Sequence, residues 1–261
     1  MNARAALAAA LAAWLAPAAA GAAAPAGRPA VALSASPAHV TLAGAARATV
    51  RLANEGAAPV VVDVAAAGFA LDARGRPLVR SGGAGARLAG RWLRLRPARV
   101  ALAPGQSAAV QLRSAPPRGA GPGDHPALVL ATTRPGSAGG LAVRMRLGVT
   151  VVVRVPGRIV HRLELRSLRV RRAGRRRVLR LVVSNRGNVV EALPRGALAV
   201  VLRARGRLVA RLRAPARELL PRSSGVFELR CPRGVRGRLT ARVALPRGAH
   251  GRAQRSFRLR L

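Results

Sequence analysis

Apolar residues recur at every second position over residues 142–155. Val143, Met145, Leu147, Val149, Val151, Val153 and Val155 share one face, and Ala142, Arg144, Arg146, Gly148, Thr150, Val152 and Arg154 the other. Successive side chains of a strand point to opposite faces, so this period of two predicts a β-strand with one face against a core or a partner. Shorter runs, β-branched or Leu-rich, stand at 31–35, 48–53, 59–65, 92–95, 100–102, 108–113 and 127–132. Others follow at 162–171, 177–184, 197–204, 208–212, 225–229, 238–245 and 256–261, bounded by Gly, Pro, Asn and Ser. Helical periodicity is almost absent beyond residue 24. Many short strands at this spacing predict sandwiches or barrels.

The pattern repeats. TVRLANEG at 49–56 resembles LRLVVSNRG at 179–187, an alternating strand ending in Asn-x-Gly in both copies. Asn54 or Asn185 enters the turn and Gly56 or Gly187 completes it, and both residue types tolerate turn conformations. LAPGQSAAVQL at 102–112 resembles LLPRSSGVFEL at 219–229. A Gly-rich loop and a strand come next in both, PPRGAGPGDHPALVLAT at 116–132 and CPRGVRGRLTARVAL at 231–245. The expectation is an all-β chain of two tandem immunoglobulin-like β-sandwich domains, over 25–156 and 157–261, joined at VPGR (155–158).

Residues 1–24 read differently. Arg4 precedes an apolar run over 5–16, Pro17 breaks it, and the small triplet Ala18, Ala19, Ala20 follows. That layout predicts a secretory signal peptide cleaved near Ala20. Beyond it the best apolar run, 147–155, is short and contains Arg154, so no transmembrane span is expected in the mature chain. The expected location is secreted and extracytoplasmic, either free or held non-covalently at the cell wall. Cys231 is the one cysteine, which excludes an intramolecular disulfide and predicts a buried structural thiol.

Charge adds a class of partner. Lys plus Arg number 47 against 8 acidic residues, for a net charge of +39, and every basic residue is Arg. Dominance of Ala, Arg, Gly, Pro, Val and Leu matches the codon usage of a high-GC genome. The charge still attracts polyanions, and Arg fits phosphate or carboxylate with two parallel donors. Arg171, Arg172, Arg175, Arg176 and Arg177 crowd a predicted hairpin turn at Gly174 and are the candidate polyanion contact. An anionic cell-wall polymer, peptidoglycan or lipid phosphate is the expected ligand. Nucleic acid would bind such a surface without specificity, and no specific nucleic-acid partner is expected.

Candidate chemistry is sparse. His39, His125, His161 and His250 lack metal-ligand spacing. Asp124 and His125 are adjacent and read as a polar pair in a turn. GAGPG at 119–123 imitates a phosphate loop, but Pro122 removes an amide donor and no Lys follows, so it reads as a strand connection. No nucleophile elbow appears. The expectation is a non-enzymatic binding or scaffold protein with no catalytic residues, cofactor or metal.

RLANEG (51–56), LAPGQS (102–107), PRGAGPGDH (117–125), NRGN (185–188) and LPRSSG (220–225) together resemble bacterial two-domain immunoglobulin-like surface proteins. Among these the WxL-interacting family is most similar. That resemblance implies a peptidoglycan-binding first sandwich and a second that engages surface proteins. The family's C-terminal membrane helix has no counterpart here, so membrane anchoring is not implied. A second resemblance is to periplasmic pilus chaperones, which complete an unfinished pilin sheet with the long last strand of their first domain. It implies strand donation from 141–155, with Val143, Met145, Leu147, Val149, Val151 and Val153 as the partner strand. The alternative for those residues is a core strand of their own domain. An apolar face buried at home removes the motive for donation, and a solvent-facing stripe supplies it.

Overall fold

The computed structural model describes residues 29–80, 89–134, 144–174, 176–246 and 252–260. The expected signal peptide, Val143, Arg175 and His250 lie outside the described residues.

Ten strands build the first sandwich: β1 (Leu33–Ser36), β2 (His39–Ala43), β3 (Arg47–Asn54), β4 (Val60–Leu71), β5 (Pro77–Arg80), β6 (Leu93–Arg96), β7 (Arg99–Leu102), β8 (Ser107–Ser114), β9 (Gly123–Thr133) and β10 (Arg146–Val155). One sheet runs β1-β3-β8-β6, and the other β2-β10-β9-β4-β5 with β7 beside the start of β4. The chain crosses from the first sheet to the second at the cis Ser36–Pro37 peptide, between β1 and β2. β2 then pairs parallel to β10, whereas the other pairs are antiparallel.

Alternation drives this assembly. Val50 and Leu52 of β3 and Val110 and Leu112 of β8 face Val62 and Val64 of β4, Val129 and Ala131 of β9, and Val149, Val151 and Val153 of β10. These side chains share a core between the sheets, and burying each Val or Leu contributes about 1.5–3 kcal/mol. Their odd or even neighbours face outward, as a half-solvated antiparallel sheet requires.

The second sandwich comprises β11 (Leu163–Ala173), β12 (Arg176–Asn185), β13 (Glu191–Leu193), β14 (Ala199–Ala204), β15 (Arg207–Arg213), β16 (Arg217–Leu219), β17 (Ser224–Arg230), β18 (Arg238–Pro246) and β19 (Arg252–Arg260). Its sheets run β11-β12-β17, β13-β16 and β15-β14-β18-β19. Leu179, Leu181, Val183, Phe227 and Leu229 pack against Val200, Leu202, Ala241 and Val243 in a separate core. No strand pairs across the two sandwiches among the described residues. A small third cluster, Phe69, Leu128 and Leu220 with Leu71, Leu130 and Val190 around it, joins them.

The sequence repeat is a repeat of hydrogen bonds. Asn54 and Asn185 are both fully buried. The Asn54 amide donates to Ala58 O and Leu102 O, and its carbonyl accepts from Gly56 N. The Asn185 amide donates to Val189 O and Leu219 O, and its carbonyl accepts from Gly187 N. Differences from the sequence reading lie in short or weakly patterned strands. β4 extends to Leu71 through Ala65, Ala66, Ala67 and Gly68, which lack β-branched signal. β2, β5, β13 and β16 are three to five residues long, too short to show a period.

Candidate functional site

β10 has one neighbour along its whole length and another along half of it. β9 pairs with it from Arg146 to Val155, whereas β2 reaches only Thr150–Arg154. On the β2 side Thr150 N donates to Ala38 O at 3.0 Å, and Arg154 O accepts from Gly44 N at 2.7 Å. Backbone groups of alternate residues point the same way. Arg146 and Gly148 therefore direct their N–H and C=O groups to this side, where no described strand pairs with them. Odd-numbered Met145 turns the other way: its O accepts from Thr133 N at 2.9 Å and its N donates to Thr133 Oγ1 at 2.8 Å.

Side chains follow the same alternation. Val149, Val151 and Val153 are fully buried in the first core. Leu147 is half-buried and packs against that core, and Met145 is half-buried. From Val149 onward the apolar face is therefore committed to its own domain. On the outer face Arg144, Arg146 and Gly148 are exposed, while Val152 is buried. What β10 leaves open among the described residues is a backbone edge at its first half.

The end of β10 is fixed. Arg154 Nε donates to Asp124 Oδ1 at 2.6 Å and Nη2 to Oδ2 at 2.9 Å. The same Oδ2 accepts from Val190 N of the second sandwich at 2.8 Å. Hydrogen bonding to Asp124 pushes the Arg154 guanidinium above its usual value, against burial. Asp124 N donates to Asn188 O, and the Asn188 amide donates to Pro122 O and Arg158 O. This close approach requires glycine at 123: a Cβ there would lie 2.1 Å from Asn188 O, and the residue's φ is +113°. Asp124 was expected as a turn residue paired with His125. It sits instead on β9 with its carboxylate at the joint, and His125 faces the other way, its ring 4.7 Å from that of Trp92.

A second clamp lies at the β4–β5 turn. Arg217 Nη1 donates to Ala73 O of the first sandwich and Val226 O of the second, with its guanidinium 4.8 Å from the Phe227 ring. Val226 N also donates to Ala73 O. Burial pulls the Arg217 guanidinium below its usual value. Asp63 receives Arg134 Nε and Arg99 Nε at 2.7 Å each. Those bonds, Arg134 first, hold its carboxyl below the usual range.

Of the predicted polyanion contact, Arg171, Arg172 and Arg176 are exposed at the β11–β12 tip and Arg177 is half-buried. Gly174 turns that tip at φ +59°. Among the described residues no group of three metal-ligating side chains gathers. No described helix is long and apolar enough to cross a membrane. Sequence reasoning missed the Asp124–Arg154 pair and the Arg217 clamp. In a chain with so few carboxylates, each was a candidate for a specific Arg, but the partner depends on strand register.

No family model matches the chain, and no curated protein matches it. Solved structures do. The E. coli chaperone DraB aligns with a TM-score of 0.44 at 15% identity, over 88% of this chain and 97% of that one. A Salmonella enterica SafA pilin–SafB chaperone complex gives 0.45 at 13%, over 88% and 96%. The CsuC–CsuE chaperone–tip adhesion subunit complex from Acinetobacter baumannii Csu pili gives 0.48 at 12%, over 87% and 98%. The resemblance to the WxL-interacting family finds no support in these comparisons.

Proposed function

We propose that the protein binds an extended segment of an exported partner by β-strand addition along the first half of β10, in the manner of an assembly chaperone. The observation that carries this reading is the edge at Arg146 and Gly148, left unpaired among the described strands, beside a β2 strand that begins opposite Thr150. An extended peptide laid there gains main-chain hydrogen bonds, and its alternate side chains meet a defined surface. Half-buried Leu147 and Met145 supply apolar contact on one face. Exposed Arg144 and Arg146 on the other favour a partner with carboxylates opposite, and they deter indiscriminate edge pairing. The Asp124–Arg154 pair and the Arg217 clamp hold the second sandwich at the opposite end of β10 from the edge. The signal-peptide layout of residues 1–24 supports an extracytoplasmic partner. Domains over 25–156 and 157–261 fit this division of labour. Peptidoglycan binding by the first sandwich has no residue-level support among the described residues.

The test is a photo-crosslinking residue placed at position 146, with position 51 on β3 as the exposed control, in the protein's own host. A partner captured from 146 and not from 51 is then purified with the protein for hydrogen exchange. Slowed exchange of the Arg146 and Gly148 amides in the complex is the expected result. A partner that leaves both amides exchanging at the free rate overturns strand addition.

A further inference from the structure

The far end of the second sandwich carries a groove of about 930 Å³ between the β11–β12 tip and the loop that follows β17. Six arginines line it: Arg172, Arg176, Arg177, Arg230, Arg233 and Arg236. Two separate segments thus bring six arginines to one concavity. The segments are tied together, because Cys231 N donates to Arg177 O at 3.0 Å and Arg177 Nη1 reaches Val235 O at 3.5 Å. No carboxylate lines the groove, and among the described residues none of the six arginines forms an ion pair. Seven arginines elsewhere, Arg76, Arg99, Arg134, Arg154, Arg162, Arg166 and Arg186, pair with an acid among the described residues.

Concentrated like charge destabilises a fold through self-repulsion. A concave site holding six guanidinium groups without a counter-charge is complementary to a multivalent anion. Guanidinium presents paired donors that match phosphate oxygens, and several forks around one anion raise affinity above that of a flat charged surface. We propose that this groove binds a phosphate-bearing oligoanion, with Arg230, Arg233 and Arg236 completing the site begun by Arg172, Arg176 and Arg177. β12 runs from the groove to the joint, so ten residues at about 3.3 Å each separate the two. The groove is therefore remote from the open edge of β10, and it works whether or not that edge takes a partner.

The experiment is calorimetric titration of the full chain with tripolyphosphate at about 0.15 M salt, where interactions of distant surface charges are screened. The groove variant carries Arg230→Gln, Arg233→Gln and Arg236→Gln. The control carries Arg207→Gln, Arg211→Gln and Arg242→Gln, exposed residues of β15 and β18 that remove the same charge from the same domain. Thermal melts establish that both are folded. A second variant, Arg172→Gln with Arg176→Gln, tests the opposite wall. The expected result is saturable binding weakened about tenfold or more in both groove variants, the loss of one good contact, and less than about twofold in the control. Equal losses in groove and control variants, or binding that does not saturate, overturn the proposal. A parallel arm uses vesicles containing phosphatidylglycerol. Vesicle capture lost in the groove variants assigns the phosphate to a lipid head group. Tripolyphosphate binding without vesicle capture assigns it to a soluble source.

Discussion

Arg154 and Asp124 face each other across the ends of β10 and β9, with two hydrogen bonds of 2.6 and 2.9 Å between guanidinium and carboxylate. Asp124 is only 4% exposed, and its carboxylate also receives the Val190 amide from the second sandwich. One side chain therefore fixes the end of the long strand and the joint between domains. The beginning of the same strand has backbone groups that pair with no strand on the β2 side among the described residues. A rigid end beside an open beginning is the arrangement strand addition needs, since a preordered edge loses little freedom when it is completed.

Replacing Asp124 with Asn keeps the shape and removes the charge. The bidentate pair with Arg154 is lost and the Val190 bond becomes neutral. Hydrogen bonds to charged groups contribute about 1.5–3 kcal/mol. Arg154 is half-exposed, and solvent discounts its share. Asp124→Asn is expected to lower urea-unfolding stability by about 2 kcal/mol, with faster exchange of the Val190 amide. Unchanged exchange there would detach Asp124 from the joint.

Asn54 and Asn185 supply a matched pair of tests. Each makes three hydrogen bonds while fully buried, so Ala in either place strands backbone groups without water. Each change is expected to cost about 3 kcal/mol or more. The two lie in separate cores, so the costs should add. Denaturant melts of both single variants and the double variant measure this. A double variant no weaker than the worse single would sink it.

Asp72 sets a pH dependence. Its Oδ1 accepts from Arg74 N and Arg76 N and its Oδ2 from Arg76 Nε. These bonds, the Arg76 backbone amide first, pull its carboxyl from 3.8 to about 2. A carboxyl depressed in the folded state favours folding above its unfolded value, and that contribution disappears as pH falls through the folded one. The β4–β5 turn, with Ala73 O docked on Arg217, is thus expected to loosen between about pH 4 and pH 2. Carbon-detected NMR titration of Asp72 reads the midpoint. A midpoint near 3.8 would contradict the bonding.

Gly148 separates stability from binding. A Cβ there would meet Leu128 and Leu130 side chains at 3.7 and 3.8 Å, ordinary contact distances. Gly148→Ala should therefore gain about 0.5 kcal/mol through a less flexible unfolded chain. Gly148→Pro deletes the outward N–H and should weaken partner capture about tenfold, the loss of one main-chain bond. Thermal melts and crosslinking yields measure the two effects. Full capture by Gly148→Pro would remove that N–H from the proposed contact.

Much of the architecture was legible because its cause is local. Strict alternation in β10 announced a strand with Val149, Val151 and Val153 on one face, and the paired Asn-x-Gly motifs announced two copies of one unit. The arginine cluster at Gly174 was visible as a charged hairpin tip, which the structure makes one wall of a groove. Arg230, Arg233 and Arg236 were not, since they are more than fifty residues away in sequence and meet the tip only through the β12–β17 pairing.

Side-chain period, turn chemistry and charge reside in neighbouring residues, and from these the chain alone determined its all-β character, its duplication and its cationic surface. Tertiary structure decided which face of β10 was committed to the core and which length of its edge remained open. It also chose Arg154 from 47 basic residues as the partner of Asp124. Those outcomes depend on register and on where β2 begins. The alternating pattern and the turns restrict the register, but which strands become neighbours, and over what length, is decided by the packing of two sheets whose strands lie far apart in sequence.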